Sequence, residues 1–143
     1  MSIDKEETSI GAHALLLTED NKVILQQRDT NPQIINSGLI SMFGGTLKSD
    51  ENIEEGLTRE LFEELELEIS INDLKKLGVF HKTKAIDGVD FEINVYTIEN
   101  VDIDSLILKE GKSFYYASIE RALENNKLTR ITRVALEYFR DNR

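Results

Sequence analysis

The chain has 143 residues, 40% of them hydrophobic, with 17 Lys and Arg against 27 Asp and Glu, a formal charge of −10, and no cysteine. That length suits one ordinary domain with its own core, and the negative charge argues against duplex nucleic acid as a partner. The missing cysteines exclude disulfides and thiolate metal sites, so any metal must be held by oxygen or by the two histidines. A hard cation such as Mg2+ suits that inventory, and in an acidic cleft it can reverse the local sign and admit a small phosphorylated ligand.

The opening stretch MSIDKEETSI is acidic and polar, with no apolar core. No later segment approaches the roughly 18 apolar residues of a membrane span, so a soluble cytoplasmic protein with no membrane partner is expected. IGAHALLL (10–17) and KVILQQR (22–28) are apolar runs separated by TEDN, which predicts two strands joined by a turn. DTNPQIINSG reads as a loop around Pro32, the one proline. The segments LKKLGVFHKTKA and VDFEINVYTI flank IDG, a hairpin whose turn would use Asp87 and Gly88. SFYYAS reads as a further short strand. In RITRVALEYFRDN, the residues Ile131, Val134, Ala135, Tyr138 and Phe139 recur at helical spacing and predict an amphipathic helix. Strands and helices interleave without a regular strand-helix-strand rhythm, which points to a mixed sheet with helices packed on it.

Between the second and third of these strand regions lies FGGTLKSDENIEEGLTRELFEELEL, Phe43 to Leu67, a pair of glycines followed by a run rich in Asp and Glu. On a helical wheel advancing about 100° per residue from Ile53, the residues Leu57, Leu61 and Leu65 fall at about 40°, 80° and 120° and form a core-facing stripe with it. Glu60 falls near −20° and Glu64 near 20°, in or beside that stripe, and Glu63 near −80°, just off its edge. Glu54 also lies close to the stripe, but in the first turn, where the helix dipole favours a carboxylate. Glu55 and Glu66 point to solvent. Carboxylates gathered at a core edge repel one another and lose hydration unless cations neutralise them, so Glu60, Glu63 and Glu64 read as metal ligands. Gly44 and Gly45 lie where a backbone without Cβ can turn sharply and bring a carbonyl close to a ligand.

Taken together, Gly45, Glu51, Arg59, Glu60, Leu61, Glu63, Glu64 and Leu67 resemble the Nudix box, in which glycine, glutamate, Arg-Glu and Glu-Glu recur at this spacing. The box spans residues 45–67, and the flanking segments are compatible with one Nudix domain over residues 1–143. One position departs: the final glycine of the box is Glu66 here, which puts the geometry of the helix end in question.

The resemblance implies an α/β fold, an α/β/α sandwich with a mixed β-sheet. It also implies hydrolysis of a nucleoside diphosphate linked to another group, with Mg2+ or Mn2+ as cofactor. In that family the counterparts of Glu60, Glu63 and Glu64 bind the metal with a carbonyl matching Gly44, while the counterpart of Arg59 orients the neighbouring glutamate. Glu51 would pair with Arg59. KEGKSF, Lys109 to Phe114, resembles the segment that supplies a late metal-binding glutamate and general base in 8-oxo-dGTP hydrolases, which puts Glu110 in that role with Glu92 and Glu99 as substitutes. Arg28 corresponds to a nucleotide-contacting arginine, and Phe43 and Gly45 join it as expected substrate contacts. His13 and His81 are read as structural, since neither has metal ligands at the usual spacing.

Signatures of ADP-ribose, dinucleoside polyphosphate and coenzyme A hydrolases are missing. Nucleoside triphosphates are therefore the favoured small-molecule substrates, with nucleotide sugars and a catalytically inactive nucleotide-binding module as alternatives. Dimers are common among similar proteins, so a homodimer is one state the resemblance allows. A calcium-binding protein is disfavoured, because no Asp-x-Asp-x-Asp-Gly loop occurs.

Overall fold

Alternation along the first apolar run assigns the two faces of the sheet. In the computed structural model, which describes residues 8–29, 38–83, 90–109 and 112–143, strand β1 (Thr8–Leu17) sends Ala12, Ala14 and Leu16 into one buried cluster and Leu15 and Leu17 into another. Both faces are covered, which is why the run reads as continuously apolar rather than alternating.

The other strands are β2 (Lys22–Arg28), β3 (Ile40–Ser41), β4 (Phe43–Thr46), β5 (Lys75–Thr83), β6 (Asp90–Ile98) and β7 (Lys112–Ser118). They join β1 in one seven-stranded sheet with the order β3-β2-β1-β6-β5, with β4 on β1 and β7 on β2. The sheet is mixed, as expected. β1 runs parallel to β6 from Thr8↔Asp90 to Leu16↔Ile98, and the remaining pairs are antiparallel. A parallel pair needs a long crossover connection, and here that connection contains helix α1 (Ile53–Leu65). Helices α2 (Ile119–Leu123) and α3 (Arg130–Asn142) cover the opposite face, which completes an α/β/α arrangement.

One detail of register governs the functional site. β1 and β2 pair only at Leu16↔Ile24 and Leu17↔Val23. Beyond that point β1 turns to β4, whereas β2 stays with β3 and β7. The two strands splay and leave a cleft between them.

The wheel drawn for α1 holds: Leu57, Leu61 and Leu65 are fully buried. In α3 the buried positions are Thr132, Ala135 and Leu136, while Tyr138 stays 44% exposed and stacks edge-on against Phe80. The expected loop around Pro32 and the turn at Asp87-Gly88 fall outside the described residues, although β5 and β6 form the expected antiparallel pair. The short strands β3 and β4 and the five-residue helix α2 carry too few residues to show a period of their own. Among the described residues no helix is long and apolar enough to cross a membrane.

Helix α1 opens at Asn52, whose side chain accepts from the backbone N–H groups of Glu54 and Glu55 at 2.9 and 3.2 Å. It closes at Glu66, which sits in the left-handed region (φ 54°, ψ 30°) with its N–H donating to Phe62 O at 2.8 Å. Glutamate therefore does here what glycine does at lower steric cost. Glu66→Gly should raise stability by up to about 1 kcal/mol and leave turnover within a few-fold, as read from thermal melts and rates. A lower melting temperature would show that Glu66 contributes more through its side chain than it costs in backbone strain.

Candidate active site

A strand pressed onto its neighbour and a helix pressed onto that strand bring the acidic residues together. Gly44 and Gly45 are not a turn, as their sequence suggests, but the middle of β4, paired with His13 and Ala12 of β1. A Cβ on Gly44, whose φ is +139°, would lie 2.2 Å from the Ala12 carbonyl oxygen. A Cβ on Gly45 would lie 2.7 Å from the carboxyl carbon of Glu60. The glycines thus permit two close approaches, backbone to backbone and carboxylate to backbone.

On the helix side, Glu64 accepts a hydrogen bond from Gly44 N–H at 3.3 Å. Burial pushes the Glu64 carboxyl up to about 7, and the neighbouring Glu60 adds to the shift against the opposing influence of Gly44 N–H and Lys112. Arg59 links the remaining acids. It binds both oxygens of Glu51, with Nη2 to Oε1 at 2.9 Å, and reaches Glu60 at 3.4 Å and Glu63 at 3.0 Å. Glu51 also accepts from Lys48 N–H at 2.8 Å, and these contacts, that with Arg59 foremost, hold its carboxyl at about 2. Glu51 is therefore an anchor for the loop and for Arg59, as expected.

The candidates separate into groups. Gly44, Gly45, Glu60 and Glu64 meet at one place, and Arg59 stands beside them. Glu63 belongs to the same helix, but its side chain is 55% exposed and paired with Arg59. Among the described residues no three His, Asp or Glu side chains are arranged to enclose a metal ion. The donor chemistry nevertheless fits a hard divalent cation: the donors are oxygens, and Glu60 and Glu64 are crowded like charges that a cation would neutralise.

The Phe43 ring is fully buried and packs edge-on against Phe114, within the core. Glu110 lies outside the described residues. Of its substitutes, Glu99 is exposed and ion-paired with Lys75 at 3.1 Å, and Glu92 accepts from Asn94 Nδ2 at 3.1 Å.

Arg28 lines the cleft left by the splayed strands, a space of about 340 Å3 that Gly44 also borders. His13, Gln26 and Thr132 line it too, and no motif in the sequence marks them for that place. The available signal was a polar residue inside an apolar run, such as His13 in IGAHALLL.

Burial holds the His13 imidazole down at about 4, against an ordinary 6.5. Because its folded value is depressed, the unfolded chain takes up the proton first as pH falls, and stability is lost between about 6.5 and 4. His13→Asn should flatten that slope in denaturant titrations run at pH 7.5 and 5, by no more than about 3 kcal/mol. An unchanged slope would show that the His13 side chain gains the proton at little cost in the fold.

The family model for the NUDIX domain matches residues 7–126. The MutT protein from Methanosarcina mazei Go1 superposes with a TM-score of 0.78 at 22% identity, covering 99% of each chain. The E. coli ORF135 protein gives 0.77 at 22%, covering 99% of this chain and 94% of its own. The E. coli dihydroneopterin triphosphate pyrophosphohydrolase gives 0.73 at 14%, with coverage of 94% and 96%. No curated protein sequence matches the chain.

Proposed function

The chain belongs to the NUDIX family, whose members are in general pyrophosphohydrolases of nucleoside diphosphate derivatives, and from that premise we propose that it hydrolyses a nucleoside triphosphate to the monophosphate and pyrophosphate. The observation that carries this reading is the meeting of Glu60 and Glu64 with Gly44 and Gly45 at the border of a cleft of about 340 Å3. That volume lies at the lower end of small-molecule pockets, about 300–1,000 Å3.

Glu60, Glu63, Glu64 and the Gly44 carbonyl would hold Mg2+ or Mn2+, which when bound neutralises phosphate oxygens, polarises phosphorus and acidifies water. The protein's own groups do the rest. Arg28, which lines the cleft, and Lys112, directly opposite it on β7, supply positive charge for the phosphates. Arg59, fixed by Glu51, holds Glu60 in place and keeps Glu63 within reach. Gly45 leaves room for the Glu60 carboxylate, and any side chain there would displace it. Glu110 is proposed as the base: it takes a proton as water attacks phosphorus and the bond to the pyrophosphate oxygen breaks.

The test is a panel of nucleoside triphosphates and nucleotide sugars incubated with Mg2+ or Mn2+, with products identified by chromatography. Monophosphate and pyrophosphate from a triphosphate are expected. Selective cleavage of nucleotide sugars would overturn the substrate class. Binding without turnover across the panel would make the protein a nucleotide-binding module instead.

A further inference from the structure

The cleft between the splayed strands has unequal walls. Met42, Ile93 and Ile131 make part of its lining apolar, and Phe91 adds an aromatic ring. Set into these walls are two enclosed polar atoms, His13 Nδ1 and Gln26 Oε1. They are the buried side-chain nitrogen and oxygen atoms that lack a hydrogen-bond partner among the described residues. Leaving such atoms unpaired destabilises a fold, and both belong to side chains that line one cleft.

The chemistry of Gln26 is determined by its surroundings. Its Nε2 donates to the Met42 carbonyl at 2.8 Å, which sets the orientation of the amide and leaves Oε1 as an acceptor. With its proton on Nε2, the His13 imidazole likewise offers Nδ1 as an acceptor. In that tautomer two side chains lining the cleft carry acceptors that lack donors.

Resting on the reading that the substrate is a nucleotide, we infer that Gln26 and His13 are specificity-determining residues that accept hydrogen bonds from an exocyclic amino group of the base. An amino group carries two hydrogens for the two acceptors. A carbonyl at the same position sets lone pairs against lone pairs, and a bare C–H leaves both acceptors unpaired. Sites built to bind an N–H group discriminate strongly against analogues lacking it, because the buried partner atoms are then stranded. The apolar walls fit the faces of a flat heteroaromatic ring and add little discrimination of their own.

The experiment compares kcat/KM within pairs of triphosphates that differ at one amino group: adenosine with inosine, cytidine with uridine, and guanosine with inosine. For the wild type, the best amino-bearing nucleotide should exceed its partner by about 10-fold or more. Gln26→Met and His13→Leu should bring that ratio toward one, and His13→Asn, which returns an acceptor near the position of Nδ1, should recover part of it. A merely structural role would lower both members of a pair together and leave the ratio unchanged. Should Gln26→Met fail to fold because Met42 O loses its donor, the two His13 variants and the wild-type ratios still decide the matter. Ratios near one in all three wild-type pairs, or variants that keep the wild-type ratio, overturn the inference and leave triphosphate hydrolysis standing. Absence of turnover on every nucleotide overturns the functional reading and this inference with it.

Discussion

Glu64→Gln is expected to lower kcat by at least about 10²-fold while the protein remains folded, since removing even a supporting partner of a metal ligand commonly costs 10–100-fold. The substitution preserves size and can still accept from Gly44 N–H, so β4 and α1 keep their contact. What disappears is a negative charge that burial and Glu60 already oppose. The sign of the effect on stability follows. A carboxyl raised to about 7 in the fold, against 4.5 in the unfolded chain, favours folding below about pH 4.5, and that contribution is lost as pH rises to about 7. In the presence of a chelator, Glu64→Gln should therefore melt above wild type at pH 8, and the gap should close toward pH 4.5. Glu63→Gln should also lose turnover, with less effect on melting because its side chain is already solvated. Near-wild-type rates in both variants would remove the metal-ligand assignment. Melting of Glu64→Gln below wild type at pH 8 would show instead that the charge is satisfied without a cation.

Glu110→Gln should lower kcat by about 10²-fold or more with much less effect on nucleotide binding, the scale expected for loss of an acid-base group. The motive is the Lys-Glu-Gly resemblance, supported by the flanking residues. Lys109 Nζ approaches Glu66 Oε2 at 4.0 Å, and the charge of Lys112 reaches Glu64. The residues on either side of positions 110–111 therefore stand against the C-terminal half of α1. A base carried on a separate segment can approach water from a direction the box helix does not occupy. Measuring Glu92→Gln and Glu99→Gln in parallel provides the control, because Glu99 is bound to Lys75 and Glu92 to Asn94. If Glu110→Gln turns over like wild type while one of the others collapses, the base has been misassigned.

The acidic helix was legible because its information is local. Its stripe of Leu57, Leu61 and Leu65 and the flanking Glu60 and Glu64 follow from residues within one helix, whereas the pairing of Glu51 with Arg59 followed from the family resemblance. There a fixed rise and rotation turn spacing directly into direction. The departure at Glu66 left the helix end open in the sequence, and only the structure shows the left-handed ending there.

Other features depended on partners far along the chain. Gly44 and Gly45 looked like a turn and proved to be strand, because β1, some thirty residues earlier, supplies the backbone that pairs with them. Phe43 precedes them in the sequence, and that same pairing turns its ring into the core beside Phe114. The cleft is the most distributed feature of all, drawn from β1, β2, β3, β4, β6 and α3. His13, Gln26 and Thr132 carry no shared period in the sequence; only the divergence of β1 from β2 makes them neighbours. The sequence by itself thus determined the family resemblance and the buried face of the acidic helix, because one helix converts spacing into geometry. The tertiary structure alone decided where the cleft opens and which residues line it, because strand pairing joins residues whose separation along the chain says nothing of their distance in space.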